Sequence, residues 1–331
     1  MVIPYKKKDL LHFVTEAVQE CGWNVFLLNT EHPFRVKIYN EEESYQVKII
    51  IYNLTHGGGH KRPKNEYRIQ IKEPSIYEEQ GCKTVILGYW AEMNVFAGFD
   101  IKKHIGEPGY SSSIQIKAEN LQKSVLHGFS ACDKGNGELA IAFNPNFFVE
   151  YVRNLELLHA FGESKQDFNV LEKVTEQHLE INEEILNKVS KSRQVVVQTV
   201  SKKLRDNSFK SRILTAYNAK CAFSGMQLKL VEAAHIIPVS FDNSTDETSN
   251  GIALSALYHR AFDRGLVTIN EKYQILINDN EVKKLKAAKL DSGFDKFEKN
   301  LLPMIHVPPA VNDRPNANYI KEANILRGWN Q

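Results

Sequence analysis

Four side chains in one stretch of this 331-residue chain have the types and spacing that suit metal-assisted cleavage of a phosphodiester: His235, Asn250, His259 and Asp263. That chemistry needs a base to deprotonate water and a cation to stabilise charge on the phosphate and the leaving oxygen. His235 ends an apolar run and suits the base, because imidazole titrates near neutral pH. His259 and Asp263 stand four residues apart in a helix-compatible segment, so an imidazole and a carboxylate can converge on one ion. Asn250 follows a polar loop and opens a second apolar run. There its amide can pin the loop to the histidine-bearing strand through backbone hydrogen bonds.

The pieces read Ala233-Ala234-His235-Ile236, then Asn250-Gly251-Ile252-Ala253-Leu254, then His259-Arg260-Ala261-Phe262-Asp263-Arg264-Gly265-Leu266. In this order they resemble the HNH nucleases, a family of metal-dependent DNA-cutting enzymes with a ββα-metal fold. The likeness extends upstream through Phe209, Arg212, Tyr217, Cys221 and Gly225, and downstream to Arg314-Pro315-Asn316. It implies that His235, Asn250 and His259 are the catalytic residues, that His259 and Asp263 hold the metal, and that the products carry a 5′-phosphate and a 3′-hydroxyl. One position departs from the family pattern. Many members carry a metal-binding Asp or His just before the base, where this chain has Ala234. Either water fills the gap or another group such as Glu232 contributes. One carboxylate and one imidazole suit Mg²⁺ or Mn²⁺ better than a closed zinc site.

The elements that must position these residues are legible around them. Tyr273–Ile277 reads as a strand against Leu266–Ile269, with Asn270-Glu271-Lys272 as the turn. Val282–Leu290 reads as a basic helix. A proline-spaced tail then leads to a last helix near Ala317–Leu326 and wraps a core too small to bury much surface alone.

The length suggests two domains. A net charge of +2, from 42 Lys and Arg against 40 Asp and Glu, means that any DNA affinity must come from local clustering. The four cysteines are scattered with no Cys-x-x-Cys pair, so neither structural zinc nor a disulfide framework is expected. The amino-terminal residues do not read as a signal peptide, and no apolar run approaches membrane-spanning length. A cytoplasmic protein with no membrane partner is the expectation.

Residues 8–21 carry helical periodicity. The pattern then turns to short strands at 24–29, 34–39, 45–52, 67–72, 84–90, 95–100, 112–116 and 138–143, with helices at 118–127 and 146–160. The fold class is therefore α+β: a strand-rich mixed domain over 1–160, for which a B3-like open barrel is one expectation, a helical linker over 161–207, and a nuclease domain over 208–331. The linker's Leu171, Val174, His178, Ile181 and Ile185 have the spacing of a self-pairing helix.

Candidate DNA contacts lie in three places. The loop 55–64 holds His60, Lys61 and Arg62 and leads into Arg68 and Gln70, side chains that can donate to phosphates and base edges. The polar strand 111–117 offers a similar face. A basic stripe over 188–220 includes Lys202, Lys203, Arg205 and Arg212, and Arg260 and Arg264 flank the motif. Trp90, Phe99, His104 and Tyr110 are candidates to line a pocket for a flipped base.

The reading that follows is a restriction-type endonuclease acting on double-stranded DNA. Because one such site cuts one strand, a homodimer is expected, and a cognate DNA-modifying enzyme is a candidate partner. A signal-gated nuclease is the alternative, and a catalytically degenerate DNA-binding protein a lesser one.

Overall fold

The computed structural model describes residues 4–56, 63, 65–109, 112–177 and 181–329. The chain divides into two compact units, Met1–Leu204 and Arg205–Gln331.

The first unit is built on strands β1 (Asn24–Asn29), β2 (Phe34–Tyr39), β3 (Ser44–Asn53), β4 (Thr55–His56), β5 (Glu66–Gln70), β6 (Lys83–Trp90), β7 (Val95–Phe99), β8 (Ser113–Lys117), β9 (Phe129–Asp133) and β10 (Leu139–Phe143). Seven of them form one sheet in the order β1-β2-β3-β6-β7-β10-β9. Every neighbouring pair is antiparallel except β3 and β6, which run parallel. A second sheet has the order β4-β5-β8.

Period-two alternation gives the large sheet two buried faces. Val47, Ile49, Ile51, Val85, Leu87 and Phe96 enter one core with the amino-terminal helix Lys7–Glu20 and the later helices. Ile50, Tyr52, Ile86, Ala97 and Phe99 enter another with Ile69 and Ile114 of the small sheet. Gly98 marks where a helix presses on the first face: a Cβ there would lie 2.2 Å from the ring of Tyr151.

β1 and β9 are the two edges of the large sheet, so the described strands form an open sheet beside a smaller one and no closed barrel. Much of the stretch 161–207 packs onto this unit. Phe161, Phe168, Leu171, Val174, Val196, Val197, Val200 and Leu204 are buried in the first unit's own core. Leu171 and Val174, two of the five positions of the self-pairing pattern, are thereby used within the chain, Ile181 and Ile185 pack against the same core, and His178 lies outside the described residues. Among the described residues no helix is long and apolar enough to cross a membrane.

The second unit contains β11 (Val231–His235) antiparallel to β12 (Gly251–Ser255), followed by the helix Ala256–Asp263. The hairpin of β13 (Val267–Ile269) and β14 (Ile275–Ile277) follows. Asn270 Oδ1 accepts from the backbone N–H groups of Lys272 and Gln274 and so shapes its turn. The tail then wraps this core: Leu302 N–H donates to Phe223, His306 N–H to Ala222 and Asn316 N–H to Ser249. Ile305, Ile320 and Ala323 close its apolar side.

Two buried imidazoles make the first unit acid-sensitive. His159 sits between the Tyr151 hydroxyl and the Leu139 carbonyl, and His32 between Glu73 and the Ile51 N–H. Burial is the main cause that pushes each from 6.5 down to about 4. Below pH 6.5 the unfolded chain therefore binds more protons than the folded one, so this stability is complete above pH 6.5 and is lost as the pH falls toward 4. Thermal unfolding from pH 7.5 to 4.5 should show the first unit's midpoint dropping over that window; a flat profile would contradict the assignment. Gly98→Ala should destabilise the same unit by about 1–3 kcal/mol through overpacking. A calorimetric midpoint equal to that of the parent would show that Tyr151 yields freely.

Candidate active site

Pairing of β11 with β12 sets His235 opposite Gly251 and Ala234 opposite Ile252. Alternation along β11 then decides which groups reach the surface. Ala233 and His235 line an open cleft of about 560 Å³ together with His259 and Asp263, whereas Ala234 is buried in the apolar core. A carboxylate at 234 would therefore point into the core and not into the cleft, which gives the departure at this position a physical reason.

His235 is fixed on two sides. Its ring stacks on Phe209 with centroids 3.7 Å apart and planes 9° apart, and its Nε2 lies 3.0 Å from Asp246 Oδ1. The stack depends on Gly251, since a Cβ there would lie 2.1 Å from Ile213 and 2.9 Å from Phe209. Asp246 is held in turn by Arg212, which donates to its backbone carbonyl and to Ser208 Oγ.

His259 is also held at both ring nitrogens. Nδ1 is 2.8 Å from Glu232 Oε2, and Nε2 is 3.5 Å from Asp263 Oδ2. The helical i, i+4 spacing thus brings a ring nitrogen and a carboxylate oxygen together at the cleft, while Glu232 meets the far side of the ring. No cluster of three His, Cys, Asp or Glu side chains able to hold a metal occurs among the described residues. Two protein donors of this chemistry fit a hard divalent ion that keeps several waters, and do not fit a closed tetrahedral zinc site.

Asn250 is fully buried, and its side-chain amide bonds Ile237, Ser244 and Thr245 rather than either histidine. Its Oδ1 accepts from Ile237 N–H at 2.9 Å, its Nδ2 donates to Thr245 O at 2.7 Å, and its backbone carbonyl accepts from Ile236 N–H. One amide thus ties both ends of the loop 237–250 to the strand that carries His235.

The other residues singled out are dispersed. His60, Lys61 and Arg62 lie outside the described residues. Arg68 and Gln70 alternate with the buried Ile69 and face outward beside Gln115 and Ser113, their register partners on β8. Lys202 and Lys203 fall in the first unit and Arg205 in the second. Part of the expected stripe serves internal pairing, with Arg193 bonded to Asp167 and Glu163 and Lys188 to Glu184. Arg264 lines the cleft and Arg260 is exposed on the adjacent helix. Trp90, Phe99 and His104 do not share a pocket: Phe99 is core, His104 bonds Glu138, and Trp90 lines a cavity with Tyr67; Tyr110 lies outside the described residues.

Sequence reasoning missed Asp246 and Arg327. Asp246 lies in a polar loop with no periodicity to mark it. Arg327 follows the last helix, yet it lines the cleft and donates to the Ile236 carbonyl at 2.7 Å.

Replacing Asn250 with Ala should cost about 2–3 kcal/mol, since it leaves a buried donor and a buried acceptor unpaired. Chemical denaturation of the second unit's transition measures this. Amide exchange at Ile237 should rise in parallel, and unchanged exchange would show that the loop is held by something else.

Comparison with known proteins adds two segment matches and one weak structural likeness. Residues 221–270 match the family described as HNH endonuclease, and residues 45–152 match the family described as Methylase-associated X1. A solved structure titled "Modification dependent TagI restriction endonuclease" is 10% identical, with 83% of this chain and 80% of that chain covered at a TM-score of 0.30, a likeness that carries no argument. No curated protein matches the chain. The segment that bears His235, Asn250, His259 and Asp263 therefore matches the HNH endonuclease family in sequence, and its strands and helix follow the ββα order.

Proposed function

We propose that the chain is a restriction-type deoxyribonuclease whose second unit hydrolyses a phosphodiester and whose first unit reads the DNA. The observation that carries this reading is the convergence of His235, His259 and Asp263 on one open cleft within the segment that matches the HNH endonucleases. The match of residues 45–152 to a methylase-associated family supports a DNA-modifying enzyme as a functional partner. It also supports assigning target reading to the first unit, with the outward row Arg68, Gln70, Ser113 and Gln115 as the candidate DNA face.

His235 is the general base. With its Nε2–H donated to Asp246, Nδ1 keeps the lone pair that takes the proton from the attacking water. Phe209 prevents the ring from turning. His259 Nε2 and Asp263 would hold the divalent cation, Mg²⁺ or Mn²⁺, which would supply charge stabilisation during phosphodiester hydrolysis. Glu232 orients His259 by accepting from Nδ1, as outer carboxylates do for ligating histidines. Asn250 positions the base strand without touching the reacting atoms. One such cleft cuts one strand, so a double-strand break requires two copies of the chain.

The test is cleavage of unmodified and cytosine-modified plasmid with Mg²⁺ or Mn²⁺, against EDTA and His235→Ala controls. The expected result is discrete fragments from one substrate, abolished by EDTA and reduced about 10²–10⁴-fold in His235→Ala. Glu232→Gln should raise the metal concentration at half-maximal rate about 10–100-fold. No cutting of either plasmid, or cutting only after addition of cell extract, would overturn the reading in favour of a gated nuclease. A strict monomer by light scattering that linearises plasmid would remove the dimer step.

A further inference from the structure

We propose that Arg327 is the phosphate-binding residue of the cleft, with its guanidinium turning to donate to a non-bridging oxygen of the scissile phosphodiester. This assignment deepens the nuclease reading above and rests on it.

A guanidinium offers five N–H donors in a fixed plane, and their destinations can be accounted for. Arg327 Nη1 donates to the Ile236 carbonyl, directly after the base histidine. The guanidinium carbon lies 4.3 Å from the centroid of the Phe262 ring, so one face of the plane is used for stacking. Nη2 is buried and has no hydrogen-bond partner among the described residues. Burial also depresses the Arg327 pKa, and the nearby Asp263 carboxylate opposes this.

A buried cationic donor without a partner is costly, and structures retain such groups where a ligand completes them. Here the open donor belongs to a side chain that lines the same cleft as His235, His259 and Asp263. The group required is an anion with oxygen acceptors that enters between a base and a carboxylate-imidazole pair, and a phosphodiester has that chemistry. Arg264 lines the cleft as well, but it is exposed to solvent, where its charge is screened. Arg327 is instead held in place by a strand carbonyl and an aromatic ring. Once turned, a donor tethered in this way stabilises charge that develops on phosphate.

The experiment uses the full chain, Arg327→Met, whose side chain still covers Phe262, and Arg327→Lys, which keeps the charge. Binding of inorganic phosphate is measured by titration calorimetry in EDTA, with no metal and no DNA, and unfolding midpoints are recorded alongside. The parent should bind phosphate; Arg327→Lys should bind it at least threefold more weakly; Arg327→Met should not bind it measurably. On plasmid with Mg²⁺, Arg327→Met should lose about 10²–10³-fold in kcat with KM changed less than threefold. If the parent binds no phosphate, or a folded Arg327→Met binds it as the parent does, the assignment falls. If Arg327→Met does not fold, Arg327→Lys decides, and affinity equal to the parent's overturns the proposal. Because the phosphate measurement needs no cleavage, a parent that binds phosphate through Arg327 but leaves plasmid uncut would refute the nuclease reading and not this site.

Discussion

The buried amide of Asn250 is the constraint on which the cleft depends. The loop 237–250 must leave the His235 strand and return to the neighbouring one, and its backbone groups need partners wherever it is cut off from water. Asn250, at one end of the loop, accepts from Ile237 at the other and donates to Thr245 within it. Asp246 belongs to the same loop, so the position of its carboxylate beside His235 is inherited from that closure. Phe209 can lie flat on the imidazole only because residue 251, directly opposite His235, has no side chain. A short sequence, Asn-Gly, therefore serves one side chain that must bond and one that must be missing.

What could be seen in the sequence were features carried by local spacing. The order His235, Asn250, His259 and Asp263 could be read because strand and helix periods put those residues on predictable faces. The hairpin at 267–277 followed from its turn residues. Features that depend on distant pairing could not be read. The parallel match of β3 with β6 and the open edges at β1 and β9 are decided by contacts far apart in sequence. Strand β9, Phe-Ser-Ala-Cys-Asp, lacks the β-branched residues that advertise a strand, and its place is set by β10. The apolar face of the helix after residue 164 was legible in its spacing but its partner was not: Leu171 and Val174 are fully buried against the first unit's own core.

Charge shows a similar division between composition and place. A nearly neutral chain can hold polarised sites, because charge is distributed unevenly over its surface. Arg193 is paired with Asp167 and Glu163 and so is lost from the positive stripe that the sequence suggests. Arg212 bonds only the neutral Asp246 carbonyl and Ser208 hydroxyl and keeps its charge. Arg327, in a tail with no marked basic cluster, is the charge held facing the cleft.

The route of the tail has a consequence for synthesis of the chain. The Ile236 carbonyl, next to His235, is satisfied by a residue 91 positions later. On a ribosome adding about 5–20 residues per second, the strand bearing His235 is synthesised roughly 5–20 s before Arg327 is added. During that interval the wall of the cleft lacks one of its supports, and a truncated or stalled chain never acquires it. The order of the sequence thus delays completion of the cleft until the 91 residues that follow Ile236 have been made.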